Sequence, residues 1–156
     1  EVSQASEPFR PVSIRIKERS GKVTDTVRST EPVIIEFEYQ LDAPVTGLRV
    51  GMYLNTMRGE YVFTAFDTDD AKQFEQFGAR AAGRYVSRCE IPADLFNEGR
   101  YYLGVNASSF GVKRYFMDEN AISFNVDISG APGTQWPELR QGPIRPRLNW
   151  KIEKID

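Results

Sequence analysis

The sequence predicts an all-β protein, an antiparallel β-sandwich. Three observations predict it. Seven or eight short runs alternate apolar and polar residues with period two. Turn signals separate those runs at regular intervals, and neither βαβ spacing nor a long helical period appears.

The elements follow in chain order. Residues 1–11 are polar, carry Pro8 and Pro11, and read as a linker. Val12, Ile14 and Ile16 alternate with Ser13, Arg15 and Lys17 as a first strand. Ser20-Gly21-Lys22 makes a hairpin turn, and 23–27 reads as a short return strand. The clearest strand spans 33–41, with Val33, Ile35, Phe37, Tyr39 and Leu41 inward and Glu36, Glu38 and Gln40 outward. Leu48, Val50, Met52 and Leu54 form the next inward face, opposite Arg49, Gly51, Tyr53 and Asn55. A turn at 57–60 returns the chain as a strand over 61–66. Residues 67–78 read as a capped helical turn, with Asp70 and Gln73 fitting a capping box and Gly78 the end. A strand over 83–91 follows, with Tyr85, Ser87, Cys89 and Ile91 on one face, and Pro92 stops it.

Asn97-Glu-Gly-Arg-Tyr101 matches the spacing of the tyrosine corner of immunoglobulin-like sandwiches, and equally an ordinary core tyrosine after a glycine turn. The strand that follows turns Tyr101, Leu103, Val105 and Ala107 inward. A partner strand turns Ile122, Phe124 and Val126 inward. The sandwich is thus expected over 12–129. Residues 130–146 hold four of the nine prolines and three glycines, an arm with no regular element. Beyond it Leu148, Trp150 and Ile152 alternate as a last strand on a tether, free to pair at home or with a second copy. Trp136 and Trp150 are expected to anchor the arm.

The chain has 156 residues, 40% hydrophobic and 12% aromatic, enough for one folded core. A net charge of -2 gives no general attraction to nucleic acid or anionic membrane. The single cysteine, Cys89, excludes an internal disulfide, which fits a reducing compartment. No signal-peptide pattern or spanning apolar run occurs, and the polar start suggests a domain excised from a longer chain.

The absence of histidine removes Ser-His-Asp and Cys-His catalysis and most zinc sites. No phosphate-binding GxxxxGK[ST] or GxGxxG motif occurs. A glycosidase needs two carboxylates across a cleft. Asp67, Asp69, Glu36 and Glu38 are candidates, but the glutamates sit on an outward strand face. Helix capping explains Asp67, Asp69 and Asp70 without calcium, and Asp118 and Glu119 read as turn residues. The chain therefore reads as non-catalytic, with no cofactor and no metal.

The sharper signal is an outward sheet face. With the strands at 48–55, 100–107 and 120–126 in one sheet, that face presents Arg49, Tyr53, Asn55, Arg100, Tyr102, Asn106, Ser123 and Asn125. Gly51 and Gly104 are expected to leave gaps where a ligand approaches the backbone. Sugars stack apolar C–H faces on aromatic rings and hydrogen-bond planar side chains, which Tyr, Arg and Asn supply. The plainer alternative is an exposed face, or one covered by the arm or a partner.

The runs RSTEPVIIEFEYQLDAPVTGLRVGMYL (28–54), IPADLFNEGRYYLGV (91–105), MDENAISFNV (117–126) and RPRLNW (145–150) carry a family likeness. With them the chain resembles the C-terminal domain of the Wzt-type ATP-binding subunit of bacterial O-antigen polysaccharide ABC transporters. The resemblance implies an immunoglobulin-like sandwich behind an upstream ATPase domain, which accounts for the missing phosphate loop. It implies recognition of O-antigen polysaccharide, often at its non-reducing end, and a homodimer formed by C-terminal strand exchange. It also implies a cytoplasmic location, peripheral to the inner membrane through the transporter's membrane subunit. The family's ligand contacts vary with the sugar, so the site residues rest on the face assignment alone. The alternative function is an immunoglobulin-like protein-interaction or adhesion module.

Overall fold

The computed structural model describes residues 5–155. Its main strands are β1 (Phe9–Lys17), β2 (Thr26–Arg28), β3 (Val33–Leu41), the short β4 (Val45–Thr46), β5 (Leu48–Thr56) and β6 (Tyr61–Phe66). A 3-10 turn (Asp67–Asp69) and helix α1 (Ala71–Phe77) lead to β7 (Ala79–Arg80), β8 (Gly83–Ile91), β9 (Gly99–Ser109) and β10 (Lys113–Asp127). One sheet has the order β1-β3-β8 and the other β2-β10-β9-β5-β6, while β4 and β7 pair separately. The two large sheets face each other as an antiparallel immunoglobulin-like sandwich. One pairing departs from that rule, because β2 runs parallel to β10.

The alternation in β3, β5 and β9 is the cause of the layering. Ile35, Phe37 and Tyr39 from one sheet meet Leu54, Leu103 and Val105 from the other, all 5% exposed or less. Phe9 stacks on Tyr39 with centroids 5.1 Å apart, and Tyr101 stacks on Phe124 at 5.7 Å. Each aromatic pair adds about 0.5–1.5 kcal/mol beyond its area burial.

The first strand begins earlier than the pattern suggests. Phe9 is buried and pairs with Leu41, so 9–11 of the expected linker belong to the sandwich, while 1–4 lie outside the described residues. A register shift between Pro11 and Ser13 turns Val12 outward, which breaks the alternation where Pro11 offers no N–H to the ladder. The return strand is also different. Only Val23 bridges back to Lys17, and the chain then crosses so that Val27 enters the opposite sheet beside Val126. At α1 the Asp70 carboxylate caps Lys72 N and Gln73 N at 2.9 and 3.1 Å. Gly78 ends the helix in right-handed conformation rather than the left-handed one.

The arm is held by polar bonds, not by tryptophan. Trp136 and Trp150 are 62% and 88% exposed, so neither anchors it. Asn97 Nδ2 donates to the carbonyls of Arg140 and Gly142 at 2.8 and 2.9 Å, and Arg145, only 4% exposed, donates to Pro132 O. Proline and glycine leave the arm without a ladder of its own, so its carbonyls turn to the 94–101 corner for partners. The expected last strand is absent within the chain: residues 147–155 form no regular element, and Leu148 and Ile152 are exposed.

Candidate functional site

Strand registry lays the outer face of the five-stranded sheet out in rows. Arg100 stands opposite Asn125. The next row is Tyr61, Asn55, Tyr102 and Ser123. The third holds Thr64, Tyr53 and Gly104, and there β10 bulges, setting Glu119, Asn120 and Ala121 against a single position of β9. The fourth holds Phe66, Gly51, Asn106 and Met117. Arg49 opens the fifth, opposite Ser108.

A cavity of about 480 Å3 opens over the second and third rows. Tyr53, Tyr61 and Tyr102 line it with Asn55, Thr56, Met57, Gly59, Glu119 and Asn120. Tyr53 and Tyr61 meet edge-on, centroids 6.1 Å apart, so one ring steadies the other. Asn55 Oδ1 is buried with no hydrogen-bond partner, an unmet demand inside the cavity wall. The site can offer flat aromatic faces, phenol hydroxyls that donate or accept, amides, and one carboxylate.

Of the eight expected residues, Tyr53, Asn55 and Tyr102 come together around this cavity. Arg100 lies next to it, donating to Ser123 Oγ at 2.8 Å with its guanidinium 5.8 Å from the Tyr102 ring centroid. Asn125 stands across from Arg100, half-buried. Asn106 is 5% exposed and offers no open contact. Arg49 sits at the opposite end, its guanidinium 4.0 Å from the Phe66 ring centroid and 4.9 Å from that of Phe110.

The two glycines do not leave gaps for a ligand, because the protein fills both. A Cβ on Gly51 would lie 2.4 Å from Phe66 Cδ1. One on Gly104 would lie 2.8 Å from the backbone oxygen of Glu119. Gly104 therefore makes room for the β10 bulge, and the bulge builds one wall of the cavity. Sequence reasoning missed Tyr61, Glu119 and Asn120. Tyr61 stands beside Asn55 only because the register shifts between Leu54 and Asn55. Straight pairing across the 57–60 turn would set it opposite Thr56 with the parity of inward Phe63, so parity gives no signal for it. Glu119 and Asn120 carry none either, because a bulge suspends the alternation that assigns faces.

The other acidic candidates have structural partners. Asp67 accepts from Val50 N and Ser87 Oγ and pairs with Arg80 at 2.9 Å, while Asp69 accepts from Phe66 N. Glu36 bridges Lys17 and Arg88, and these neighbours hold its carboxyl below the usual range. Glu38 is lowered likewise by Arg84. Burial pushes the Cys89 thiol up, away from the reactive thiolate.

An all-β sandwich carrying a tyrosine-lined cavity on one sheet face is the class of protein these features define. The chain belongs to the Wzt C-terminal domain family, whose model matches residues 7–136. The solved structure described as the crystal structure of the C-terminal domain of wzt superposes with a TM-score of 0.71 at 12% identity, covering 98% of this chain and 89% of that one. That likeness shows the shared fold. Pseudomonas fluorescens alkylpurine DNA glycosylase AlkC, bound to DNA containing an abasic site analog, reaches a TM-score of 0.44 at 12% identity. It covers 76% of this chain and 30% of that one, and carries no inference. No curated protein sequence matches significantly. The family is that of a non-catalytic C-terminal domain with an ABC-transporter context. Among the described residues no helix is long and apolar enough to cross a membrane.

Proposed function

We propose that this domain recognises O-antigen polysaccharide, at its non-reducing end, for export by an ABC transporter. The observation that carries the reading is the cavity in which Tyr53, Tyr61 and Tyr102 surround Asn55 on a sheet face. Rings that stack on sugar C–H faces, beside amides that bond hydroxyls, are the chemistry of carbohydrate recognition. Arg100, Ser123 and Asn125 extend the surface along the sheet, and Arg49 marks its far end. Within the transporter the domain lies in the cytoplasm, joined to an ATPase domain and through it to the membrane subunit. Titration with O-polysaccharide from the encoding strain and from an unrelated strain, read by tyrosine and tryptophan fluorescence, tests it. Binding of the cognate polymer alone supports the reading. Binding of neither overturns it in favour of a protein-interaction module.

The same proposal includes a homodimer by C-terminal strand exchange. Among the described residues β8 pairs only with β3, and beside its other edge a cleft of about 710 Å3 leads between the sheets to Phe37, Met52 and Val105. Leu148, Trp150 and Ile152, 63%, 88% and 97% exposed, fall on one face of an extended segment. Seating that segment from a second copy along β8 would cover both the edge and the cleft. Light scattering of the full chain and of a chain ending at Pro146 checks it. A dimer that becomes a monomer on truncation supports exchange, and an unchanged mass overturns it.

A further inference from the structure

We propose that the sugar unit taken by the tyrosine cavity is uncharged, and that Glu119 is the residue that sets this preference. The inference rests on the carbohydrate reading above and narrows its ligand class. Among the described residues, the only one with a formal charge that lines the cavity is Glu119. Arg100, beside Tyr102, is tied to Ser123 and does not line the cavity, nor does Arg58, although its neighbours Met57 and Gly59 do. Arg49 lies three rows from Tyr102, held between Phe66 and Phe110.

The hydrogen-bond demand points the same way. A carboxylate only accepts, so Glu119 asks a donor of whatever enters the cavity. A sugar hydroxyl supplies that donor, and its bond to a carboxylate is charge-assisted. A uronate or phosphate group brings no proton to donate. It would set a second negative charge beside Glu119, with no cation among the described lining residues to offset it.

Glu119 is placed by the backbone rather than by chance. Its carbonyl packs where Gly104 lacks a Cβ, and Asn120 N is held by Asp118 Oδ1 at 3.0 Å. The bulge thus presents the Glu119 position against the sheet floor, next to the Tyr53 row.

The test is a ligand-observed NMR titration of the full chain with matched pairs of monosaccharides. The pairs are methyl glucoside with methyl glucuronide, methyl galactoside with methyl galacturonide, and methyl mannoside with methyl mannuronide. The expected result is that at least one neutral member binds about fivefold or more tightly than its uronide. Glu119→Gln, an exposed isosteric change, should bring that pair within about twofold. Tyr102→Ala should abolish binding of both. Uronides that bind as well as or better than their neutral partners, or an unchanged ratio in Glu119→Gln, overturn the charge preference and leave carbohydrate recognition standing. Failure of every sugar to bind overturns the preference together with the reading of the cavity.

Discussion

The Tyr101 hydroxyl lies 2.9 Å from the carbonyl oxygen of Asn97 and 2.9 Å from that of Pro143. The first contact closes the tyrosine corner, and the second ties that corner to the arm. The phenol has one proton to share between the two carbonyls, and Pro143 O also accepts from Asn97 N at 2.9 Å. Removing the hydroxyl while keeping the ring therefore costs the equivalent of one buried hydrogen bond, about 1–2 kcal/mol. Tyr101→Phe should lower the urea midpoint by that amount and speed proteolysis within 130–145. A lowered midpoint with unchanged arm cleavage would show that the Pro143 contact does not hold the arm.

Arg80 links the helical segment to the core. It is 4% exposed, pairs with Asp67, donates to Leu48 O, and reaches the Tyr39 hydroxyl. Replacing one partner of such a pair strands the other charge and costs roughly 3 kcal/mol or more. Arg80→Met should therefore destabilise strongly, while the double change with Asp67→Asn recovers part of the loss. Chemical denaturation of the three variants measures the coupling, and simple additivity would mean the two side chains act separately.

The fold is legible because β3, β5 and β9 bury one face each, so period two assigns every residue a side. The same parity brings Tyr53, Asn55 and Tyr102 to one surface. It fails where the chain adds residues to a strand. Val12, Tyr61 and the 119–121 segment sit at register shifts, where parity turns Val12 and Tyr61 to the inward side and gives the segment no face. Parity also says nothing about depth: Asn106 shares the outer side with Tyr102, yet the fold leaves it 5% exposed. The arm's attachment was hidden for another reason. It depends on backbone carbonyls reaching Asn97 and Tyr101, and no side-chain pattern records those.

Stability should fall in acid through the β1-β3-β8 sheet. Lys17 and Arg88 each lie 2.9 Å from Glu36, and hydrogen bonding from Lys17, then Arg88, lowers its pKa below the ordinary 4.5. A carboxyl with a depressed folded pKa contributes stability above its unfolded value, and the contribution is lost as pH falls through the folded one. Denaturation midpoints should thus be steady above about pH 5 and decline below the ordinary glutamate range. Glu36→Gln should be less stable at pH 7 and show a flatter acid limb. An identical acid limb in the variant would assign the effect to other carboxylates.

Gly104 tests whether the bulge makes the site. A methyl group there would lie 2.8 Å from Glu119 O and 3.1 Å from Asp118 O, both backbone atoms that cannot swing aside as a side-chain tip can. Gly104→Ala must push the 118–121 segment off the sheet, at about 1–3 kcal/mol by the usual cost of overpacking. Because Glu119 and Asn120 ride on that segment, sugar affinity should drop about tenfold or more while the variant remains folded by circular dichroism. Glu119→Ala, which shortens one side chain and leaves the backbone in place, should destabilise by less than about 0.5 kcal/mol as an exposed substitution. Comparing the two separates wall geometry from wall chemistry. If Gly104→Ala lowers stability yet binds sugar as wild type does, the bulge is a structural device and the ligand sits elsewhere on the face.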